Sequence, residues 1–299
     1  MGKGESKGMG GPWAVNMHKM EAIAPLARSR ACSSCEEGAH GLPPLRMVTS
    51  DLLPTPVLSV VVPVRNEGPN IAPLVAEIRA ALAGVPHEII YVDDGSGDDT
   101  PDRLREAGVI VRRHRTGCGQ SAAIVTGVRA ARGEWVATLD GDGQNDPADI
   151  PLLFARACAD WCADLGADAG VDAGIGPLLV AGHRTRRRDG WVKRRTSRVA
   201  NSVRAALLHD RTPDTGCGLK LFRRDAFLEL PHFDHMHRYL PALFIRAGGR
   251  VESVPVNHRP RTRGMSNYGT LDRLWVGLFD LVGVYWLQRR WRRPMVERH

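Results

Sequence analysis

The stretch Leu58-Ser59-Val60-Val61-Val62-Pro63-Val64-Arg65-Asn66-Glu67-Gly68-Pro69-Asn70 decides how the rest of the chain is read. Its first seven residues form a short, β-branched, largely apolar run of the kind a buried strand needs. A polar turn follows, and then Ile71, Leu74, Val75, Ile78 and Leu82 recur at helical spacing. The strand-loop-helix unit repeats. Residues 87–92 read as a strand, 93–100 as an acidic loop, and 101–107 as a short helix with Thr100 as N-cap and Pro101 at its first position. Residues 109–113 read as a third strand, 120–131 as a helix and 135–139 as a fourth strand. This alternation predicts an α/β fold whose mostly parallel central sheet carries helices on both faces. Ligands of such sheets sit at the carboxyl ends of the strands. The acids Asp93, Asp94, Asp140 and Asp142 fall there.

Working outward, residues 150–164 read as a helix, 165–176 as a loose insertion and 178–181 as a strand. A helix is expected near 195–208, strands at 217–222 and 251–256, and a helix around 238–247. Residues 1–50 show no sustained period and are expected to form a disordered leader, with Met47 as an alternative start. At 299 residues and 43% apolar content, the chain can bury a core without disulfides. The six scattered cysteines, with Cys32 and Cys35 as a lone CxxC, fit a reducing compartment better than an oxidised framework or a zinc site. The longest nearly apolar run, 274–287, is interrupted by Asp280 and falls short of the roughly 20 residues a bilayer span requires.

Charge is uneven. The formal balance is +8, and nine basic residues between Arg184 and Arg204 face the single acid Asp189. Such clustering points to a specific anionic partner, and no nucleic-acid-binding module accompanies it. Asp140-Gly141-Asp142-Gly143-Gln144 sets two carboxylates and an amide at alternate positions after a strand. A turn there points hard oxygens at one centre, which suits Mg²⁺ or Mn²⁺.

Three motifs in order, Val60 to Glu67, Val92 to Thr100 and Asp140 to Pro147, resemble the family 2 glycosyltransferases of GT-A fold, and among them the dolichyl- and polyprenyl-phosphate sugar transferases. Asp214-Thr215-Gly216-Cys217-Gly218-Leu219-Lys220-Leu221-Phe222-Arg223 is similar to that subgroup's acceptor-side motif. The run from His258 to Tyr268 is similar to the segment that closes its active site. The resemblance covers about residues 57–268, so the catalytic domain is expected over 51–268 and a C-terminal helix with basic tail over 269–299.

The resemblance implies a metal-dependent, inverting transferase, akin to a dolichyl-phosphate mannosyltransferase, that moves a hexose from a GDP- or UDP-sugar to a polyprenyl phosphate. Pro63, Arg65, Glu67, Asp93, Asp94 and Asp140 would bind the donor, and Asp140, Asp142 and Gln144 the metal. Asp142, Asp214 and Arg259 would form the catalytic set, with Asp214 either positioning the acceptor or capping a turn. Arg184, Arg194, Arg195, Arg198, Arg261, Arg263 and Ser266 would meet the acceptor phosphate, because guanidinium forks match phosphate oxygens. The protein is expected to be cytoplasmic and peripheral on the inner face of a membrane.

Several features depart from the subgroup. Gly141 and Gly143 stand where Ala and Leu are frequent, and Asn267 where Lys is. Instead of transmembrane helices, Leu271, Leu274, Trp275, Leu278, Val282, Tyr285 and Trp286 fall near helical spacing ahead of Arg289, Arg290, Arg292 and Arg293. That pattern suits a helix lying on an anionic membrane or one packed on protein. A competing motif, Gly117-Cys118-Gly119-Gln120-Ser121-Ala122, matches the dinucleotide fingerprint of oxidoreductases, but it follows the third strand rather than the first.

Overall fold

A computed structural model describes residues 56–166, 176–185, 204–210, 212–260, 270–290 and 292, with the backbone alone over 160–166 and 270–276. Seven strands form one sheet in the order β3-β2-β1-β4-β6-β5-β7: β1 Leu58–Val64, β2 His87–Asp93, β3 Ile110–Arg113, β4 Trp135–Thr138, β5 Leu178–Arg184, β6 Lys220–Arg223 and β7 Arg250–Val256. Only β6 runs against its neighbours, pairing antiparallel with β4 and β5. The helices are α1 Gly68–Ala81, α2 Thr100–Glu106, α3 Gln120–Ala130, α4 Ile150–Gly166, α5 Arg224–Leu228, α6 Leu240–Arg246 and α7 Thr270–Arg290.

Alternation along β1 splits the core in two. Leu58, Val60, Val62 and Val64 join Ile71, Leu74, Ile78, Leu153 and Phe154 from α1 and α4 on one face. Val61 points the other way, to Val125, Val128, Phe222, Phe227 and Phe244. Helix α3 lies so close to the sheet that a Cβ on Gly127 would fall 2.3 Å from Val61 Cγ1. Ser59, also on that strand, would be a costly polar intruder without partners. Its hydroxyl donates to Glu88 Oε1 at 2.6 Å and accepts from Gly133 N at 2.9 Å, while Arg132 adds its backbone N–H and Nε to the same carboxylate. Burial raises the Glu88 carboxyl, but these hydrogen bonds outweigh it and hold the group below its ordinary value.

The local expectations shift in places. Helix α2 starts one residue earlier, after Asp99, and the Thr100 hydroxyl does not cap it; it accepts from Glu67 N at 3.0 Å and ties two loops together. The strand expected at 217–222 is shorter, because Cys217 N turns back to Asp214 O and leaves 214–219 as a loop. Strand β5 runs on to Arg184, which is therefore a strand-end residue. The helix expected around 238–247 is α6 preceded by a 3-10 turn, Met236–Arg238. Short α5 was not foreseen. The leader over 1–50 lies outside the described residues, as do the start of the helix near 195–208 and the insertion apart from 165, 166 and 176.

Candidate active site

The carboxyl ends of β1 and β2 carry the donor-side candidates. Asp93 is fully buried; Oδ1 accepts from Ser96 N at 2.9 Å and Oδ2 pairs with Arg113 Nε at 3.0 Å. Asp94 accepts from Cys118 N (2.7 Å), Gly119 N (2.8 Å) and His114 Nδ1 (2.7 Å). Burial raises its carboxyl, and these bonds more than reverse that, leaving it below the ordinary range. Both acids thus clamp loops, and Asp94 fastens the N-terminus of α3. The same bonds dispose of the dinucleotide reading, because the N–H groups a pyrophosphate would require are already donated to Asp94. Glu67 accepts from Asn70 Nδ2 at 2.6 Å, and Pro63 is half-buried at the end of β1. Exposed Arg65 lies against the backbone of Gly117, where a Cβ would meet its Nη1 at 2.4 Å.

Past buried Leu139, β4 delivers the Asp140–Gln144 turn, which Gly143 closes at a φ of +73°. Asp140 Oδ1 accepts from Gln120 Nε2 at 2.8 Å, its backbone N donates to Asn145 Oδ1 at 3.3 Å, and Asp142 Oδ1 accepts from Gln144 N at 3.1 Å. The Asp140 carboxyl is pushed up to about 6, first by burial and then by the neighbouring charge of Asp142, against the pull of Lys220 and Arg184. Two oxygen-bearing side chains that repel each other, with Gln144 beside them, are a donor set that a hard divalent cation would relieve, so the residues fit Mg²⁺ or Mn²⁺.

Arg259 stands outside this turn rather than in the cavity behind it. Its N donates to Gln144 O at 2.9 Å, and its guanidinium bridges Glu77 (2.6 Å) and Asp146 (2.7 Å). It fastens the turn to α1, with two guanidinium nitrogens engaged by carboxylates. The turn is also bound to the neighbouring segment by the Asn145–His258 bridge.

Because β6 runs in reverse, the loop 214–219 ahead of it arrives at the end of β4 where Asp140 sits. Thr138 pairs with Lys220, and Thr138 Oγ1 donates to Gly218 O at 2.8 Å. A cavity of about 320 Å³ opens between them, lined among others by Gln120, Asp140, Asp214, Lys220, His237 and Arg238. Lys220 is 3% exposed and its Nζ donates to Cys217 O. Asp214 grips Arg184 at both ends, Nε to Oδ2 at 2.6 Å and Nη2 to Oδ1 at 2.8 Å. The Asp214 carboxylate thus holds an arginine. Two guanidinium nitrogens of Arg184 are correspondingly engaged before any phosphate arrives. His237 is held neutral, its pKa pushed down to about 3 chiefly by burial, and its Nδ1 lies 2.7 Å from Ser121 Oγ.

Arg194, Arg195, Arg198, Arg261, Arg263 and Ser266 lie outside the described residues. Sequence reading missed Gln120, Lys220, His237 and Arg238 as cavity residues. Lys220 had a signal, a single cation inside the apolar run from Cys217 to Phe222. His237 had none.

The fold agrees with comparisons against known proteins. The glycosyl transferase family 2 model matches residues 59–230, and the chain belongs to that family. It is 33% identical over 260 residues to a dodecaprenyl-phosphate galacturonate synthase of Rhizobium johnstonii, covering 82% of this chain and 71% of that one. It is 32% identical over 241 residues to an undecaprenyl-phosphate 4-deoxy-4-formamido-L-arabinose transferase of Edwardsiella ictaluri, covering 78% and 69%. Among solved structures, glucosyl-3-phosphoglycerate synthase from Mycobacterium tuberculosis with Mn²⁺, uridine diphosphate and glucosyl-3-phosphoglycerate superposes with a TM-score of 0.54 at 22% identity, covering 78% of this chain and 80% of that one. Mannosyl-3-phosphoglycerate synthase from Rubrobacter xylanophilus gives 0.55 at 18% identity, covering 81% and 79%. At that identity the likeness establishes the GT-A fold alone.

Proposed function

We propose that this glycosyltransferase moves a sugar from a nucleotide diphosphate to a polyprenyl phosphate, with inversion, at a membrane surface. The site's make-up supports the reading: the turn after β4 carries two mutually repelling carboxylates, of which Asp140 lines the cavity, and the reversed β6 brings buried Lys220 to the same cavity. The names of both sequence relatives, each a polyprenyl-phosphate sugar transferase, support the acceptor class.

Asp140, Asp142 and Gln144 would hold the divalent cation, which when bound supplies positive charge to a departing diphosphate. Burial pushes the Lys220 ammonium down from its ordinary value while Asp140 and Asp214 hold it up, and in its charged form it would add a second positive charge to the cavity. Gln120 fixes the Asp140 carboxylate, and Asp94 fixes the start of the helix that carries Gln120. The attacking group of a polyprenyl phosphate is already anionic near neutrality, so the chain needs no dedicated general base. Neutral His237 fits that economy, as a packing residue bonded to Ser121.

The relatives carry galacturonate and a formamido-arabinose, so the transferred sugar need not be mannose or any simple hexose. The test is incubation with UDP- and GDP-sugars, polyprenyl phosphate and Mn²⁺, reading glycolipid product by mass spectrometry. Wild type yields a lipid-linked sugar and Asp142→Ala yields none. Product from Asp142→Ala at the wild-type rate, or none from wild type with any donor, overturns the proposal.

A further inference from the structure

Over its described side chains, residues 277–290, helix α7 meets the rest of the protein with one face. Val284 is 1% exposed and packs into the core with Leu281 and Tyr285. Polar fastenings secure the same side: Tyr239 Oη donates to Gly277 O at 3.0 Å, and His235 Nδ1 lies 3.1 Å from Asp280 Oδ2. Arg246 Nε donates to Leu287 O at 3.0 Å, and Gln288 Nε2 to Leu208 O at 3.0 Å. Residues 277, 280, 281, 284, 285 and 288 are the inner stripe of a 3.6-residue period.

The opposite stripe is apolar and uncovered. Leu278 is 52% exposed, Phe279 75%, Val282 58% and Trp286 57%. Arg289, Arg290 and Arg292 stand exposed at its C-terminal end. Among the side chains described on this helix, the only acid is Asp280, and it is turned inward to His235. Four large apolar side chains on one side of a folded domain are not explained by solubility.

We infer that this outer stripe of α7 is the surface by which the protein lies on an anionic lipid membrane, with Phe279 and Trp286 entering the headgroup boundary and the arginines meeting lipid phosphates. The inference rests on the lipid-acceptor reading for its purpose, though its evidence is the helix itself. Charge selects this occupant: the basic end of the helix complements anionic headgroups, and the only acid among its described side chains is turned away from the bare stripe.

The attachment also reaches the cavity. His235 and Tyr239, which hold α7, flank the 3-10 turn Met236–Arg238, and His237 and Arg238 of that turn line the cavity beside Asp140. Docking through α7 therefore sets the distance from the bilayer to the acids at the end of β4.

The experiment is flotation of the full chain with vesicles of phosphatidylcholine alone or mixed with phosphatidylglycerol, without donor or acceptor. Expected is salt-sensitive binding to the anionic vesicles, reduced about ten-fold or more by F279S/W286S. R289E/R290E should erase the preference for anionic over neutral lipid. L278S/V282S, two smaller changes on the same stripe, serves if the first pair does not fold, and should weaken binding in the same direction. Absence of vesicle binding by wild type, or equal binding by correctly folded outer-stripe variants, overturns the inference. So does a wild-type dimer that F279S/W286S splits without affecting vesicle binding. A water-soluble short-chain prenyl phosphate separates the two ideas. Turnover of that acceptor without vesicle binding sinks the membrane face alone, whereas vesicle binding without turnover of any prenyl phosphate sinks the acceptor reading alone.

Discussion

Asp214, which lines the cavity, and Arg184 form a two-point ion pair, with 2.6 and 2.8 Å contacts between groups whose side chains are 3% and 17% exposed. Removing one partner strands the other charge in a poorly solvated place. Asp214→Ala should destabilise the fold by about 2–4 kcal/mol, and Asp214→Ala/Arg184→Ala by less than that. Denaturant unfolding of these two variants and of Arg184→Ala measures this as a double-mutant cycle. A double variant weaker than Asp214→Ala alone would mean the pair is not what holds the loop.

Asp140 gives stability an unusual pH slope. Its carboxyl titrates near 6 in the folded chain and near its ordinary value when unfolded, so the unfolded state loses its proton first. Its contribution favours folding below about pH 4 and is lost as pH rises through about 6. Without metal, Asp140→Asn should therefore raise the melting temperature at pH 7.5. The same variant should lose the increase that Mn²⁺ gives wild type. Differential scanning fluorimetry with and without Mn²⁺ checks both halves.

His237 acts in the opposite sense. The folded chain keeps it neutral down to about 3, while the unfolded chain protonates it near its ordinary value. The stability it allows is complete above about pH 6.5 and is drained as the pH falls toward 3. His237→Gln should flatten the loss of stability between pH 6.5 and 4, as measured by urea midpoints across that range. An unchanged slope would mean the ring is not buried neutral.

Gly218 approaches Asp140 so closely that a Cβ would fall 2.1 Å from Oδ2. Gly218→Ala must therefore push the carboxylate or the β6 loop aside. Transfer should fall by about 100-fold, the order expected for a misplacement of roughly 1 Å, with far-ultraviolet circular dichroism unchanged. Activity near wild type would show that Asp140 need not hold its present position.

The parallel half of the sheet was legible because its central strands are compact, largely apolar runs closed by a polar turn, as at Val60–Val64 and His87–Asp93. The acids at strand ends were legible for the same reason. Their individual duties were not. Asp94 and Arg259 carry the residue types that bind ligands, yet both are occupied by the protein itself, and hydrogen bonds between residues 24 or 182 positions apart leave no trace in local pattern. The reversal of β6 was equally hidden, since a four-residue strand reads the same in either direction. For α7 the structure shows one stripe packed on the domain, as one of the two sequence alternatives has it, and leaves the other stripe bare.

The single antiparallel strand has a further consequence. Thr138 faces Lys220 in the ladder, and Lys220 shares its side of the sheet with Phe222. A slip of one residue in this pairing would send the lysine into the apolar layer under α1 and α4 and bring Leu219 or Leu221 to the cavity instead. Chemistry here is keyed to a hydrogen-bond count. Lengthening the chain by one residue between Gly218 and Phe222 would exchange an amine for a hydrocarbon in the cavity, while barely altering what the domain looks like from outside.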